Sequence, residues 1–143
     1  MTDYSPDSGT LAGVASIIAA FSAAMLFFRI QRELAVPPPN WIARSDWLLL
    51  ASSSLSLLLV ISPLLLLPPS NPIYHVLPSA ACAGATVCVA GYPFAILAHY
   101  RLLLGRTRSG PRENPEPAER WIIVTTWLVS LSAFVWAIWI RMR

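Results

Sequence analysis

The side chains best suited to redox or metal chemistry in this sequence are the thiols of Cys82 and Cys88. Six residues apart on one helix, they are separated by about 9 Å along the axis and about 120° around it, so they cannot pair within that helix. There is no Cys-X-X-Cys motif, and no histidine or carboxylate lies within six residues of either thiol. We therefore expect both thiols to pack against neighbouring residues, and we predict no metal site and no cofactor.

Histidine and serine are the other candidates for chemistry. His75 lies before a long apolar stretch, and His99 lies at its other end beside Tyr100 and Arg101. These positions favour side chains at a membrane interface over ligands. A serine cluster lies within the preceding apolar stretch and could line a polar path, but such hydroxyls in membranes more often serve helix packing. The cluster comprises Ser52, Ser53, Ser54 and Ser56.

The composition places these residues in a membrane protein. Hydrophobic residues make up 56% of the 143 residues, and charged residues make up only 12%, against about 25% in soluble domains. Four stretches without Asp, Glu, Lys or Arg are close to the roughly 20 residues that cross a bilayer as a helix. The sequence therefore predicts an all-α, polytopic integral membrane protein, a single domain of four transmembrane helices, with spans at about residues 11–28, 47–67, 78–100 and 121–140.

The lack of charge inside the spans also bears on activity. An ion-coupled transporter would normally keep at least one ionisable residue there as its coupling site. We therefore expect neither active transport nor an enzyme activity, and the sequence contains no set of catalytic residues.

Proline and polar residues predict where the spans begin and end. We expect the first helix to continue past Phe28 into water, with an Arg29–Glu33 pair four residues apart. Ser45 can cap a second helix that starts at Asp46. The third helix is expected to begin at one of two positions, either at Asn71 with Pro72 or at Pro78. Bends are expected near two interior prolines, Pro63 and Pro93.

One side of the third span consists of small residues. They recur at alternating steps of four and three, so on a helix they form a continuous stripe that invites the close approach of another backbone. We predict a helix-packing seam of Gly84, Cys88, Gly91 and Ala95. Its neighbour is either the first span of the same chain or the third span of another copy.

Two other spans carry similar stripes. In the first span the small residues could meet the seam of the third span; they are Gly9, Gly13, Ser16, Ala20 and Ala23. In the fourth span the corresponding residues are Thr126, Ser130, Ala133 and Ala137.

The longest polar connection, residues 101–120, contains five arginines. Three of them, Arg106, Arg108 and Arg112, are expected to contact anionic lipid or a partner protein. The net charge of +3 comes from arginines beside apolar spans and forms no basic face, so nucleic acid is not an expected partner.

Arginine is also distributed unequally between the two sides of the predicted bundle. Connections 29–46 and 101–120 contain eight arginines, whereas the tails and the short turn between the second and third spans contain two, both at the C-terminus. The excess of positive charge predicts that both connections are cytoplasmic and that both termini lie outside. Because all ten basic residues are arginine and none is lysine, we expect a GC-rich bacterial genome and an inner-membrane location.

Two functional hypotheses follow, and neither is enzymatic. The protein could be a membrane subunit that associates with itself as a homo-oligomer or binds a partner membrane protein. Alternatively, it could form an oligomeric pore or perturb the membrane, with the serine side of the second span facing water. A small facilitator-type transporter is a third, weaker alternative.

Overall fold

The computed structural model describes residues 7–35, 43–102 and 116–143. These residues form four helices and contain no strand. We name the helices α1 (Ser8–Ala35), α2 (Asp46–Leu66), α3 (Pro72–His99) and α4 (Pro117–Met142). All four are long and apolar enough to cross a membrane, and the predicted all-α bundle of four transmembrane helices is confirmed.

Helix α3 begins at the earlier of its two predicted starts. The Asn71 side chain accepts a hydrogen bond from the Ile73 backbone N–H at 2.9 Å, and Pro72 occupies the first helical turn. Proline suits this position because its missing N–H would have no partner within the helix. The helix then continues through Pro78 and Pro93, so Pro78 does not start it.

Helix α2 contains a π-helical segment ahead of its proline. The backbone is α-helical at Asp46–Ser54, π-helical at Leu55–Ile61 and α-helical again at Ser62–Leu66. Pro63 has no N–H to donate and its ring crowds the preceding turn. The wider π turn is one way in which a helix accommodates such an irregularity.

The small residues of α1 do not meet the seam of the third span, so this prediction is wrong. Gly13, Ser16, Ala20 and Ala23 are exposed on the surface of the bundle, as is Gly9. The helix instead buries the side that carries Ala15, Ala19 and Ser22. The Ser22 hydroxyl lies 2.7 Å from the Ser52 hydroxyl of α2, and this buried hydrogen bond orients that side of α1 inward.

Helix α3 is the centre of the bundle and packs against each of the other three helices. Its buried side chains are mostly alanine, with Cys88 and Tyr92 among them. Helix α4 packs mainly on α3 and turns a broad apolar surface outward. Large exposed side chains on that surface include Trp121, Trp127, Leu128, Leu131 and Trp136, which suits contact with lipid tails.

Candidate functional site

All four helices bring charged or polar side chains to one end of the bundle, the end at which the two long connections join them. Helix α1 provides Arg29, α2 provides Asp46, the end of α3 provides His99, Tyr100 and Arg101, and the start of α4 provides Glu116 and Glu119. We call these seven residues the ionic cluster. Buried charges are costly unless they are paired and hydrogen-bonded, so their partners determine what the cluster can do.

Arg29 connects three helices within the cluster. The residue is only 4% exposed, and its Nε lies 3.5 Å from Asp46 Oδ1 of α2. A terminal guanidinium nitrogen donates a hydrogen bond to the Tyr100 hydroxyl at the end of α3. This single side chain therefore ties the ends of α1, α2 and α3 together.

Glu119 makes the corresponding connection from α4. Its residue is 0% exposed, and Oε1 accepts a hydrogen bond from the Ser45 backbone N–H at 3.1 Å. The other oxygen, Oε2, lies 2.9 Å from His99 Nδ1, which donates to the carboxylate. Glu119 therefore joins the starts of α2 and α4 to the end of α3.

The same contact corrects the predicted role of Ser45. The residue does precede a helix that starts at Asp46, but its side chain makes no capping hydrogen bond. Its backbone N–H is directed to Glu119 instead. A charged acceptor gives a stronger hydrogen bond than a neutral hydroxyl, and it replaces the local cap with a contact between two helices.

Arg101 and Glu116 form the third ion pair. Arg101 Nη2 lies 2.6 Å from Glu116 Oε1, and Nε donates to the same oxygen at 2.7 Å. Arg101 has a φ of 58°, in the left-handed region. The Leu102 N–H donates back to the Leu97 carbonyl at 2.8 Å, which is typical of a left-handed helix ending. Because glycine usually occupies this position, the ion pair helps to hold arginine there.

The sequence did not predict the ionic cluster. His99 was expected to be an interfacial residue, yet it is a hydrogen-bond partner of a buried carboxylate. Arg29 was expected to pair with Glu33 in water, but it is buried beside Asp46. The side chain of Glu33 lies outside the described part of the chain, so the Arg29–Glu33 pair stays a prediction.

The predicted seam of α3 faces α4 of the same chain, which was neither of the two neighbours expected. Ser130 Oγ of α4 donates to the Gly84 carbonyl at 3.0 Å and accepts from Cys88 Sγ at 3.4 Å. A Cβ built on Gly91 would overlap the Thr126 side chain and lie 3.0 Å from its Cβ. Ala95 is fully buried. The fit arises because Thr126 and Ser130 are the small residues of α4.

The structure does not test the predicted lipid and partner contacts. Arg106, Arg108 and Arg112 fall outside the described residues, so their contact with lipid or a partner stays a prediction. Cys82 and Cys88 are buried free thiols. Within the described ranges, no three histidine, cysteine, aspartate or glutamate side chains lie close enough to hold a metal ion.

The ionic cluster is suited to holding helices in place. Each ion pair joins two different helices or the residues that flank them, and the carboxylates of Asp46, Glu116 and Glu119 each accept hydrogen bonds from the protein. Comparisons with protein-family models, with curated proteins and with solved structures found no match for this chain.

Proposed function

We propose that this protein is a non-enzymatic membrane subunit that associates with a second copy of itself or with another membrane protein. The observation that carries the proposal is the outward face of α1, where Gly13, Ser16, Ala20 and Ala23 are exposed. A Cβ built on Gly13 meets no atom within 4 Å. Small side chains allow close helix contact in lipid, where van der Waals packing replaces the hydrophobic force.

The ionic cluster supports this proposal from inside the bundle. Its ion pairs and hydrogen bonds link the ends of the four helices, which sets the direction in which the bundle presents the α1 face. The lipid-facing surface of α4 differs from this face because it is covered with large aromatic and aliphatic side chains. The face of α1 is therefore the better surface for a neighbouring helix.

Cysteine cross-linking tests the α1 face directly. In a chain with Cys82 and Cys88 replaced by alanine, Ala20→Cys is expected to form cross-links to a second copy or to a partner in native membranes. Phe21→Cys is the matched control, because Phe21 is also exposed but lies about 100° around the helix. Equal cross-linking at both positions, or none at Ala20, would contradict the proposed interface.

The alternative is an oligomeric pore with the serine side of α2 facing water, and the burial of these serines within a single copy speaks against it. The hydroxyls of Ser52 and Ser56 on α2 are buried inside the bundle. Ser56 Oγ has no hydrogen-bond partner among the described residues. If the protein is a subunit, vesicles that contain it should retain an ion gradient for as long as vesicles without protein do. A protein-dependent leak would favour the pore.

We also propose the inner membrane of a bacterium as the location, with both termini outside. The support is the unequal distribution of arginine, with eight in the two connections and two at the C-terminus, because positive charge near spans favours the cytoplasmic side. In this orientation the ionic cluster lies at the cytoplasmic end. Arg106, Arg108 and Arg112 would then face the anionic lipids of the inner leaflet.

A further inference from the structure

Arg32 is an exposed arginine next to the ionic cluster and takes part in none of the cluster's three ion pairs. It lies in the last turn of α1, three residues beyond Arg29, which places it about 4.5 Å further along the helix axis and on a neighbouring side. Arg29 is buried, whereas Arg32 is exposed. The chain thus places one guanidinium inside the bundle and the next at its surface, where the apolar part of the helix ends.

The Arg32 guanidinium lies over the ring of Tyr100, a member of the ionic cluster. The Arg32 guanidinium carbon lies 5.0 Å from the centroid of the ring, and that of Arg29 lies 5.6 Å from it. Because the Tyr100 hydroxyl accepts a hydrogen bond from Arg29, the ring cannot turn freely. Stacking on a fixed ring holds a guanidinium in place and leaves the edge that carries its N–H groups available.

Each nearby carboxylate of the ionic cluster has another partner. Asp46 pairs with Arg29, Glu116 with Arg101 and Glu119 with His99. The ion pairs among the described side chains, to which Glu33 does not belong, do not include Arg32. A preorganised guanidinium at the end of a membrane helix therefore has donors to offer to an anion.

We propose that Arg32, stacked on Tyr100 between the ends of α1 and α3, binds the phosphate of an anionic lipid headgroup. The planar guanidinium matches a phosphate with two parallel hydrogen bonds. Basic sites between helix ends, at the level of the headgroups, are suited to such lipids. This site is separate from the predicted lipid contacts of Arg106, Arg108 and Arg112, and it does not depend on the proposed subunit function.

Native mass spectrometry of the full chain in detergent, titrated with phosphatidylglycerol, tests this site. Arg32→Gln is expected to weaken the binding of the first lipid about fivefold, the change that corresponds to about 1 kcal/mol for one cation at the membrane surface. Arg143→Gln is the matched control. Arg143 also stacks on an aromatic ring, with its guanidinium carbon 3.7 Å from the Trp139 centroid, but it lies at the end of α4.

Two further titrations identify the source of the phosphate. Phosphatidylcholine has a phosphate but no net charge, and it should bind more weakly than phosphatidylglycerol and respond little to Arg32→Gln. Inorganic phosphate at millimolar concentration should not displace the anionic lipid. Equal losses in Arg32→Gln and Arg143→Gln, no loss in Arg32→Gln, or ready displacement by inorganic phosphate would overturn the proposal.

Discussion

Glu119→Ala is expected to lower the free energy of unfolding by about 3 kcal/mol, because the substitution removes the carboxylate that joins three parts of the bundle. The Ser45 N–H and His99 Nδ1 both donate to this fully buried group. Without the carboxylate, the Ser45 N–H and the His99 ring lose their acceptor. Leaving one partner of a buried pair without the other is costly. Unfolding in mixed micelles with increasing SDS measures the change.

Two variants make this prediction specific. Glu119→Gln keeps an oxygen that can accept from the Ser45 N–H, so its loss should be clearly smaller than that of Glu119→Ala. Arg120→Ala changes the next residue, which is exposed, and should alter stability by no more than about 0.5 kcal/mol. If Glu119→Ala and Arg120→Ala had similar small effects, the carboxylate would not hold the bundle together.

Gly91→Leu is expected to destabilise the bundle by about 3 kcal/mol, or to prevent its assembly, because α4 leaves no room for a side chain at this position. Even the first added carbon would overlap Thr126, and inserting further methylenes into a packed contact forces the backbones apart. Thermal stability in detergent, measured by the retention of monodisperse protein after heating, shows the loss.

Ala90→Leu provides the matched control for this contact. Ala90 is exposed and lies about 100° around α3 from Gly91, so the same added side chain should point into lipid and cost little. A second control keeps the position but relieves the overlap. Gly91→Ala should be less harmful in a Thr126→Gly background than in the natural chain. Equal tolerance of Gly91→Leu and Ala90→Leu would show that the seam does not need small residues.

The number and position of the helices could be predicted from the sequence because lipid imposes a length on each span. Uncharged stretches of about 20 residues identified all four helices, and the Asn71–Pro72 pair marked one of the two starts considered for α3. These features are local: each depends on residues within one or two helical turns. The continuation of the first helix past residue 28 is likewise confirmed, since α1 ends at Ala35.

The rotation of each helix was harder to predict, because lipid tails and the protein interior are both apolar. In a soluble protein, polarity marks the outer side of a helix, whereas in α1 both sides carry alanine and large apolar residues. The small residues at Ser16 and Ala20 therefore indicated a packed side that turned out to be exposed. Ser22 was the better indication of the buried side, because a buried hydroxyl needs a hydrogen-bond partner and Ser22 has one in Ser52.

The ionic cluster lay beyond sequence reasoning for a related reason. Arg29 meets Tyr100 across 71 positions of the chain, and Glu119 meets Ser45 across 74. No local spacing indicates such partners. One feature of the sequence could have indicated the cluster. In an up-and-down bundle, four residues that can carry opposite charges fall at the same end and can therefore pair: Arg29, Asp46, His99 and Glu119.

The packing of α3 on α4 within one chain is tested most directly by a cysteine at Ser130. Cys88 Sγ lies 3.4 Å from Ser130 Oγ, so in a Cys82→Ala background Ser130→Cys should form a disulfide with Cys88 under mild oxidation. Ser132→Cys, at an exposed position of the same helix, should not. The intact mass should be that of a single chain that has lost two hydrogens. A disulfide-linked dimer through Cys88, or no bond at all, would contradict the packing of α3 against α4 of its own chain.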